Sequence, residues 1–565
     1  MVIRTVNVGA GMQTIHFDGR TSQESRYADS TGNETTRVST IHYGISEKFT
    51  LIMEGGAGGP THTPGDYLYN DGVERSFKDG AWGIVWVLPG LTSDLKPLPA
   101  DSGSTSPSGS ANLPSKTGGR PPAAATMNAC PSTATAHKFA VSAVDLPSSA
   151  AGGGQDGRKA AFVINDDVAA VKAGTKFPEP LVLHAAEGEC VSVTLTNLRN
   201  GPRVSFHVDG LLHDINSTGI NVGYNPEQTI ATGQTRTYTY YADTKKLQSV
   251  LITDFGGDEG SRDGLYGSVI VAPKGATFSD PKTGAVTDHG SQVDVHVPGA
   301  PAYRDFALLL ADQDPIIGQN AMPYPRDVSG AALINYRTAD PQGKRKTGAN
   351  VFSSLVNGDP ATPLIMAQAG DPMMVHVLNT QGSEQLHTFN LGGLSWPVDQ
   401  YITHSEEMST RALGPQEKFD AVINGGAGGW GQMVGDFAYQ DRRLAFTEAG
   451  MWGLIRVFPA SGAACTTTPI WALSCAVSDA TPTATATSTG TATSTGTATR
   501  TGTTESKPSG RSGSSGTTTG TGTPAPMPSG RSGAATSGAT TTTSTATGTT
   551  VTGSGGSGTP LPAHR

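Results

Sequence analysis

The sequence predicts an all-β protein: three Greek-key β-sandwich domains, the first N-terminally incomplete, followed by a long disordered C-terminal tail. Three observations carry that reading. Residues 47 to 89 and 417 to 459 are one module written twice, without a gap, at an offset of 370. Glu47-Lys48-Phe49 returns as Glu417-Lys418-Phe419, Gly65-Asp66 with Tyr69 and Asp71 as Gly435-Asp436 with Tyr439 and Asp441, and Trp82-Gly83 as Trp452-Gly453. An internal repeat fixes architecture before any single motif is weighed. Secondly, Val191, Val193 and Leu195 alternate with Ser192, Thr194 and Thr196, the period-2 pattern of a strand with one wet face. Thirdly, charged residues make up only 15% of the chain while glycine reaches 73, a balance of turn-rich β structure.

Along the chain, 565 residues suffice for about three domains at roughly 100 to 200 residues each. Residues 1–98 form the partial first domain, whose Val2 to Asn7 matches the strand around Val375 to Asn379, so that Met1 starts in mid-domain. Residues 99–126 are a Pro/Ser/Gly linker with too little apolar surface to order itself. Residues 127–278 hold a more diverged copy, in which PEPLVLHAAEGECVSVTLTN corresponds to PATPLIMAQAGDPMMVHVLN of the copy at 279–462. Short strands with Gly, Pro and Asn punctuation read as an antiparallel sandwich or Greek-key barrel. One helix interrupts them, Asp166 to Ala173, opened by paired acids. A Cys-bounded segment at 463–479 precedes the Thr/Ser/Gly tail at 480–565, which reads as a surface spacer with a cell-wall or surface association.

A net charge of -9 argues against nucleic acid as a partner, since a phosphate-binding surface needs clustered Lys and Arg. No apolar run reaches the ~18 residues of a membrane span. The four cysteines suit two disulfides, Cys130 with Cys190 and Cys465 with Cys475, and a secreted or cell-surface location. Four reduced thiols in a cytosolic chain are the alternative.

The order of strands, a His-x-Phe-His-x-His-Gly site, a Gly-rich loop and a strand closing on a glycine resembles the multicopper oxidases, built from cupredoxin domains. In detail it is similar to the bacterial manganese-oxidase-like "copper oxidase" group. The resemblance implies copper and an oxidoreductase, but most copper ligands are replaced. The family's His-Cys-His-x3-His-x4-Met falls on Asn70, Asp71, Gly72, Ser76 and Ala81 in the first copy. In the second copy it falls on Asp254, Phe255, Gly256, Gly260 and Leu265, and in the third on Gln440, Asp441, Arg442, Phe446 and Met451. A blue site needs a thiolate with two imidazoles, and no cysteine stands at these places. The upstream motif keeps His16, His207 and His387, one per copy, so the residual metal positions are His16, His207, His387 and Met451.

Asp71, Asp209 and Asp441 could instead bind a hard cation or act as acid and base, and Asp254, Asp258, Glu259 and Asp263 form an acidic loop whose spacing fits no defined calcium loop. Turn-forming aspartates are the plainer account. No catalytic constellation is supported by spacing. Two functions follow. One is a ligand-depleted multicopper-oxidase-like protein acting as a surface or secreted binding or structural module. The other is a copper-dependent oxidoreductase taking electrons from a phenol or metal ion, with dioxygen as acceptor.

Overall fold

Alternating Val/Leu and Ser/Thr residues become strands with one dry face. In Cys190–Asn197, Val191, Val193 and Leu195 are fully buried while the residues between them are half-buried. On the wet face Thr194 and Thr196 meet Thr237 and Thr235 across the antiparallel neighbour, hydroxyl to hydroxyl at 3.1 and 3.0 Å, the side-chain pairing that stabilises a sheet surface. The computed structural model describes residues 1–9, 11–23, 35–88, 129–147, 158–243, 248–257, 260–317, 327–345 and 348–460. All belong to the unit Met1–Pro482; the unit Thr483–Arg565 lies outside them, as do the linker, the Cys465 and Cys475 pairing and the tail.

The second domain packs the sheet Ala160–Ile164, Ala136–Asp145, Cys190–Asn197, Thr235–Tyr241 against the sheet Leu181–Ala186, Tyr266–Ala272, Ser249–Thr253, His207–Val208. Phe206, Tyr238, Tyr240 and the valine face fill the space between. The third domain repeats this with Tyr303–Asp312, Met373–Asn379 and Lys418–Val422 facing Leu364–Gln368, Trp452–Phe458, Gly435–Asp441 and His387–Leu391. The first domain has Val2–Val6 on Lys48–Ile52, and the sheet Thr40–Tyr43, Gln13–Phe17, Gly65–Asp71, Trp82–Val87.

The sheets are not purely antiparallel. Leu181–Ala186 runs parallel to Tyr266–Ala272, and Cys190–Asn197 parallel to Ala136–Asp145; the third domain has the same two parallel pairings. The cause is the turn at Glu187 to Glu189. It joins two strands that lie in opposite sheets, so neither pairs with the other and each takes a distant partner. The predicted helix is a 3-10 turn, Asn165–Asp167, continued by Val168–Lys172.

Repeated residues do repeated jobs. Glu47 Oε2 accepts from Gly44 N at 2.6 Å, and Glu417 Oε2 accepts from Gly414 N at 2.7 Å. A Cβ built on Gly453 would lie 2.2 Å from the Tyr439 ring, and one on Gly83 would lie 2.4 Å from the hydroxyl of Tyr69. Tyr439 cannot yield, because it is wholly buried and donates to Pro363 O at 2.6 Å. Gly453→Ala is therefore expected to cost about 1–3 kcal/mol by overpacking, read as a lowered urea midpoint; an unchanged midpoint would refute the packing argument.

Cys130 and Cys190 form a disulfide. It ties the segment entering the second domain to the start of a central strand, across a sequence separation of 60. In the chain-entropy picture such a closure restricts the unfolded chain by roughly 4 kcal/mol. Reduction is expected to shift thermal unfolding downward, and a Cys130→Ala, Cys190→Ala pair that melts with the oxidised protein would contradict this.

Candidate metal centre

Two of the four sequence-predicted metal positions meet. His16 sits on Gln13–Phe17, opposite Thr40 in the neighbouring strand. His207 opens the short strand His207–Val208, paired to Ser249–Thr253. The docking of the first and second domains turns both rings inward, with centroids 6.3 Å apart, and Asp209 lies between them. His207 Nε2 is 2.6 Å and His16 Nε2 3.5 Å from Asp209 Oδ1. Asp18 and His213 extend the group: His213 Nε2 lies 3.3 Å and His207 Nδ1 3.8 Å from Asp18 Oδ1.

The five side chains are buried, and each imidazole is oriented by its other nitrogen. His207 Nδ1 donates to Thr218 O at 2.5 Å, His213 Nδ1 donates to Leu211 O at 2.9 Å, and His16 Nδ1 is 2.9 Å from Thr40 Oγ1. That leaves the three Nε2 atoms and the four carboxylate oxygens of Asp18 and Asp209 without a hydrogen-bond partner. His207 Nε2 and Asp209 Oδ1, 2.6 Å apart, face each other as an ion pair. Fixing one ring nitrogen on a protein oxygen and aiming the other at a shared point is how metal-binding histidines are held. Unpartnered buried polar atoms are costly, about 1–3 kcal/mol each and more when charged, and the ligand atoms of His16, His207 and Asp209 lie within 4.8 Å of one another, close enough to share one ion.

The electrostatics agree. Burial lowers the pKa of His16. Burial also pulls on His207, but Asp209 and Asp18 outweigh it and hold His207 up to about 9. Burial would raise Asp18, yet contact with His213 keeps its carboxyl below the ordinary value. Two buried carboxylates facing three imidazoles are a receptor for positive charge, supplied either by protons or by a cation.

His387 and Met451 lie elsewhere. His387 is clamped in the third domain, Nδ1 2.6 Å from Asp441 Oδ2 and Nε2 3.1 Å from Asp312 Oδ2. Met451 is fully buried in the core of that domain, away from the His16 group. His376 has a similar clamp between Asp305 and Asp420, both at 2.6 Å.

Where the copper cysteine of the resembled family would stand, a carboxylate braces backbone. Asp71 Oδ1 accepts from Thr14 N and Val73 N, both at 3.0 Å, and Asp441 Oδ1 from Thr388 N and Arg443 N at 3.1 and 2.9 Å. In the second domain Asp254 does this, accepting from Ser205 N and Gly256 N at 2.6 and 3.0 Å. The sequence count placed Phe255 there; the connection to Gly267 is one residue longer than its counterparts, and Asp254 is the true equivalent. Asp263 is turned away, to Arg199 and Lys159, so it does not join Asp254 in an acidic site; Asp258 and Glu259 lie outside the described residues. His213 escaped the sequence reading. Its only signal is the spacing His207-x-Asp209-x3-His213, which repeats neither elsewhere in the chain nor in the family motif.

Blue copper does not fit these residues, because no thiolate is offered and the aspartates in its place each give Oδ1 to two backbone N–H groups. A trinuclear cluster of imidazoles does not fit either, because Asp18 and Asp209 stand at two of the motif's histidine places and Gln13, Val204, Asn390 and Gly392 at others.

The fold is that of cupredoxin-like β-sandwich domains, with His16, His207 and His387 left at the histidine places of the multicopper-oxidase motif it resembles. Residues 159–276 match the multicopper oxidase family. Over 281 residues the chain is 24% identical to a probable nitrite reductase-hydroxylamine oxidoreductase fusion protein of Kuenenia stuttgartiensis, covering 49% of this chain and 27% of that protein. The chain thus spans about a quarter of that relative. Solved structures of similar fold include a copper nitrite reductase from Nitrosomonas europaea, at 15% identity over 57% of this chain and 94% of that one, TM-score 0.37. A blue copper oxidase from the same organism is 17% identical over 57% and 86%, TM-score 0.35. A copper-containing nitrite reductase from Thermus scotoductus is 15% identical over 57% and 62%, TM-score 0.34. Among the described residues, no helix is long and apolar enough to cross a membrane.

Proposed function

We propose that this chain is a ligand-depleted relative of the multicopper oxidases, a secreted or cell-surface binding module that holds one divalent first-row ion between its first and second domains. One observation carries the reading: the inward convergence of His16, His207, His213, Asp18 and Asp209 with no hydrogen-bond partner on their facing atoms. Mixed imidazole and carboxylate donors suit zinc, manganese, iron or non-blue copper(II). When bound, the ion neutralises the two buried carboxylates and joins the domains. His16, His207 and Asp209 would supply its core donors. No electron route is built around them, since the positions of a blue centre are structural in all three domains.

The test is elemental analysis of the purified chain together with its visible spectrum. About one equivalent of a divalent ion and no intense thiolate-to-copper colour are expected. An intensely coloured, copper-loaded protein would overturn the proposal in favour of a copper oxidoreductase. A chain that takes up no ion after dialysis against zinc, manganese or copper salts would leave the cluster a proton-balanced ion-pair network.

A further inference from the structure

Among the described residues, Val2–Val6 has a strand neighbour on one side only, Lys48–Ile52. Its counterparts in the other two domains have one on each side. Cys190–Asn197 lies between Thr235–Tyr241 and Ala136–Asp145, and Met373–Asn379 lies between Lys418–Val422 and Tyr303–Asp312. Ala136–Asp145 and Tyr303–Asp312 both run parallel to the strand they cover, and neither has a described equivalent beside Val2–Val6.

One residue aligns the three strands. Asn7, Asn197 and Asn379 are buried, and the Nδ2 of each donates to two backbone carbonyls. Counting back from it, Ile3 matches Val193 and Val375, and Thr5 matches Leu195 and Val377. Those four are fully buried, whereas Ile3 and Thr5 are only half-buried. The cover in both domains follows one pattern, aromatic-x-aliphatic-x-aliphatic: Phe139, Val141 and Ala143, or Phe306, Leu308 and Leu310, stand beside these positions and join the core.

The backbone of the bare edge is open as well. Asn7 N donates to Glu47 O and Met53 N to Met1 O. By the alternation of an antiparallel ladder, Ile3 and Thr5 therefore bond to Lys48–Ile52, while Val2, Arg4 and Val6 turn their N–H and C=O outward. The outer face is basic, carrying exposed Arg4 and Lys48. A second copy paired about a twofold axis at the strand centre would set Arg4 against Arg4, a like-charge contact that works against self-pairing.

We propose that this edge receives an extended peptide strand of a partner protein, running parallel to Val2–Val6, with an aromatic residue beside Ile3, an aliphatic one beside Thr5, and acidic residues on the other face beside Arg4 and Val6. Main-chain bonds to Val2, Arg4 and Val6 provide affinity and the alternating side chains provide specificity, as in strand addition to other sheet edges. The proposal goes beyond the metal reading and requires no ion.

Titration of a dye-labelled peptide with the full purified chain, followed by fluorescence anisotropy, tests it. The peptide carries the sequence 136–145 with the changes Ala140→Glu and Ser142→Glu, the positions that fall beside Arg4 and Val6. Saturable binding at one site is expected. Phe139→Ala in the peptide is expected to weaken it about tenfold or more, the size of burying one aromatic ring, and Ala140→Lys with Ser142→Lys about fivefold relative to the acidic pair. Arg4→Pro in the chain removes an outward N–H and spares the ladder to Lys48–Ile52; it is expected to weaken binding about tenfold with thermal unfolding unchanged. Should that variant fail to fold, the comparison of peptides on the native chain decides. Absence of saturation, equal affinity for the Phe139 and Ala peptides, or indifference to Arg4→Pro would each overturn the proposal, as would a dimer of the native chain that Arg4→Pro dissolves, which would give the edge to a second copy.

Discussion

Removing divalent ions from the purified chain with a chelator is expected to lower its unfolding midpoint, and restoring one ion per chain to recover it. The argument is one of linkage. An ion that binds only the folded state stabilises it in proportion to the logarithm of its saturation, about 4 kcal/mol when free ion stands a thousandfold above its dissociation constant. Folding brings His16 and Asp18 from one domain to His207, Asp209 and His213 of another, residues up to almost two hundred positions apart, so the unfolded chain offers no comparable site. Asp209→Asn removes the carboxylate lying between the two histidines. In that variant the chelator is expected to change nothing, because no ion remains to be removed. Should the variant fail to fold, the reversible effect on the native chain decides by itself. Identical denaturation curves for stripped and reloaded native protein would sink the metal reading.

Much of the frame was legible in the sequence, because sheets impose a short period and the chain repeats itself. The strands Lys48–Ile52, Gly65–Asp71 and the helix Glu74–Lys78 recur at Lys418–Val422, Gly435–Asp441 and Leu444–Glu448, each at the offset read from residues alone. Cys130 and Cys190 pair on their positions in the sequence, and the structure joins them as a disulfide. The site was legible only in part. His16 and His207 stand at equivalent places in two copies, yet nothing local says that those copies face each other. Asp18 and Asp209 looked like lost ligands because an Asp replaces a family His; only the domain docking shows that each carboxylate reaches a histidine of the other domain. His213 belongs to no repeat. Parallel pairings were equally hidden, since a strand's alternation reports which face is dry and not which neighbour it meets.

The second large effect concerns His387, whose replacement is expected to destabilise the chain most at neutral and acid pH and least at alkaline pH. Its ring is fully buried between Asp312 and Asp441. Both carboxylates are committed elsewhere as well, Asp441 to Thr388 N and Arg443 N, and Asp312 to Asp314 N, Glu384 N and Gln385 N. Burial disfavours the charged ring, but the two flanking carboxylates prevail and hold its pKa up to about 9. The folded value therefore exceeds the ~6.5 of an unfolded chain. Stability from this group is fully present below about pH 6.5 and is lost as pH rises through about 9. Its ceiling is about 3 kcal/mol, from the value of roughly 1.4 kcal/mol per pH unit. His387→Gln leaves two buried carboxylates facing each other without a cation, a defect of about 3–5 kcal/mol. Urea midpoints of native and variant chains measured from pH 6 to about pH 10 are thus expected to converge as the native histidine loses its proton. His376, held up to about 10 by Asp305 and Asp420, titrates in both proteins and cancels in the difference. Curves that stay parallel across that range would show that His387 is not the protonated member of the clamp.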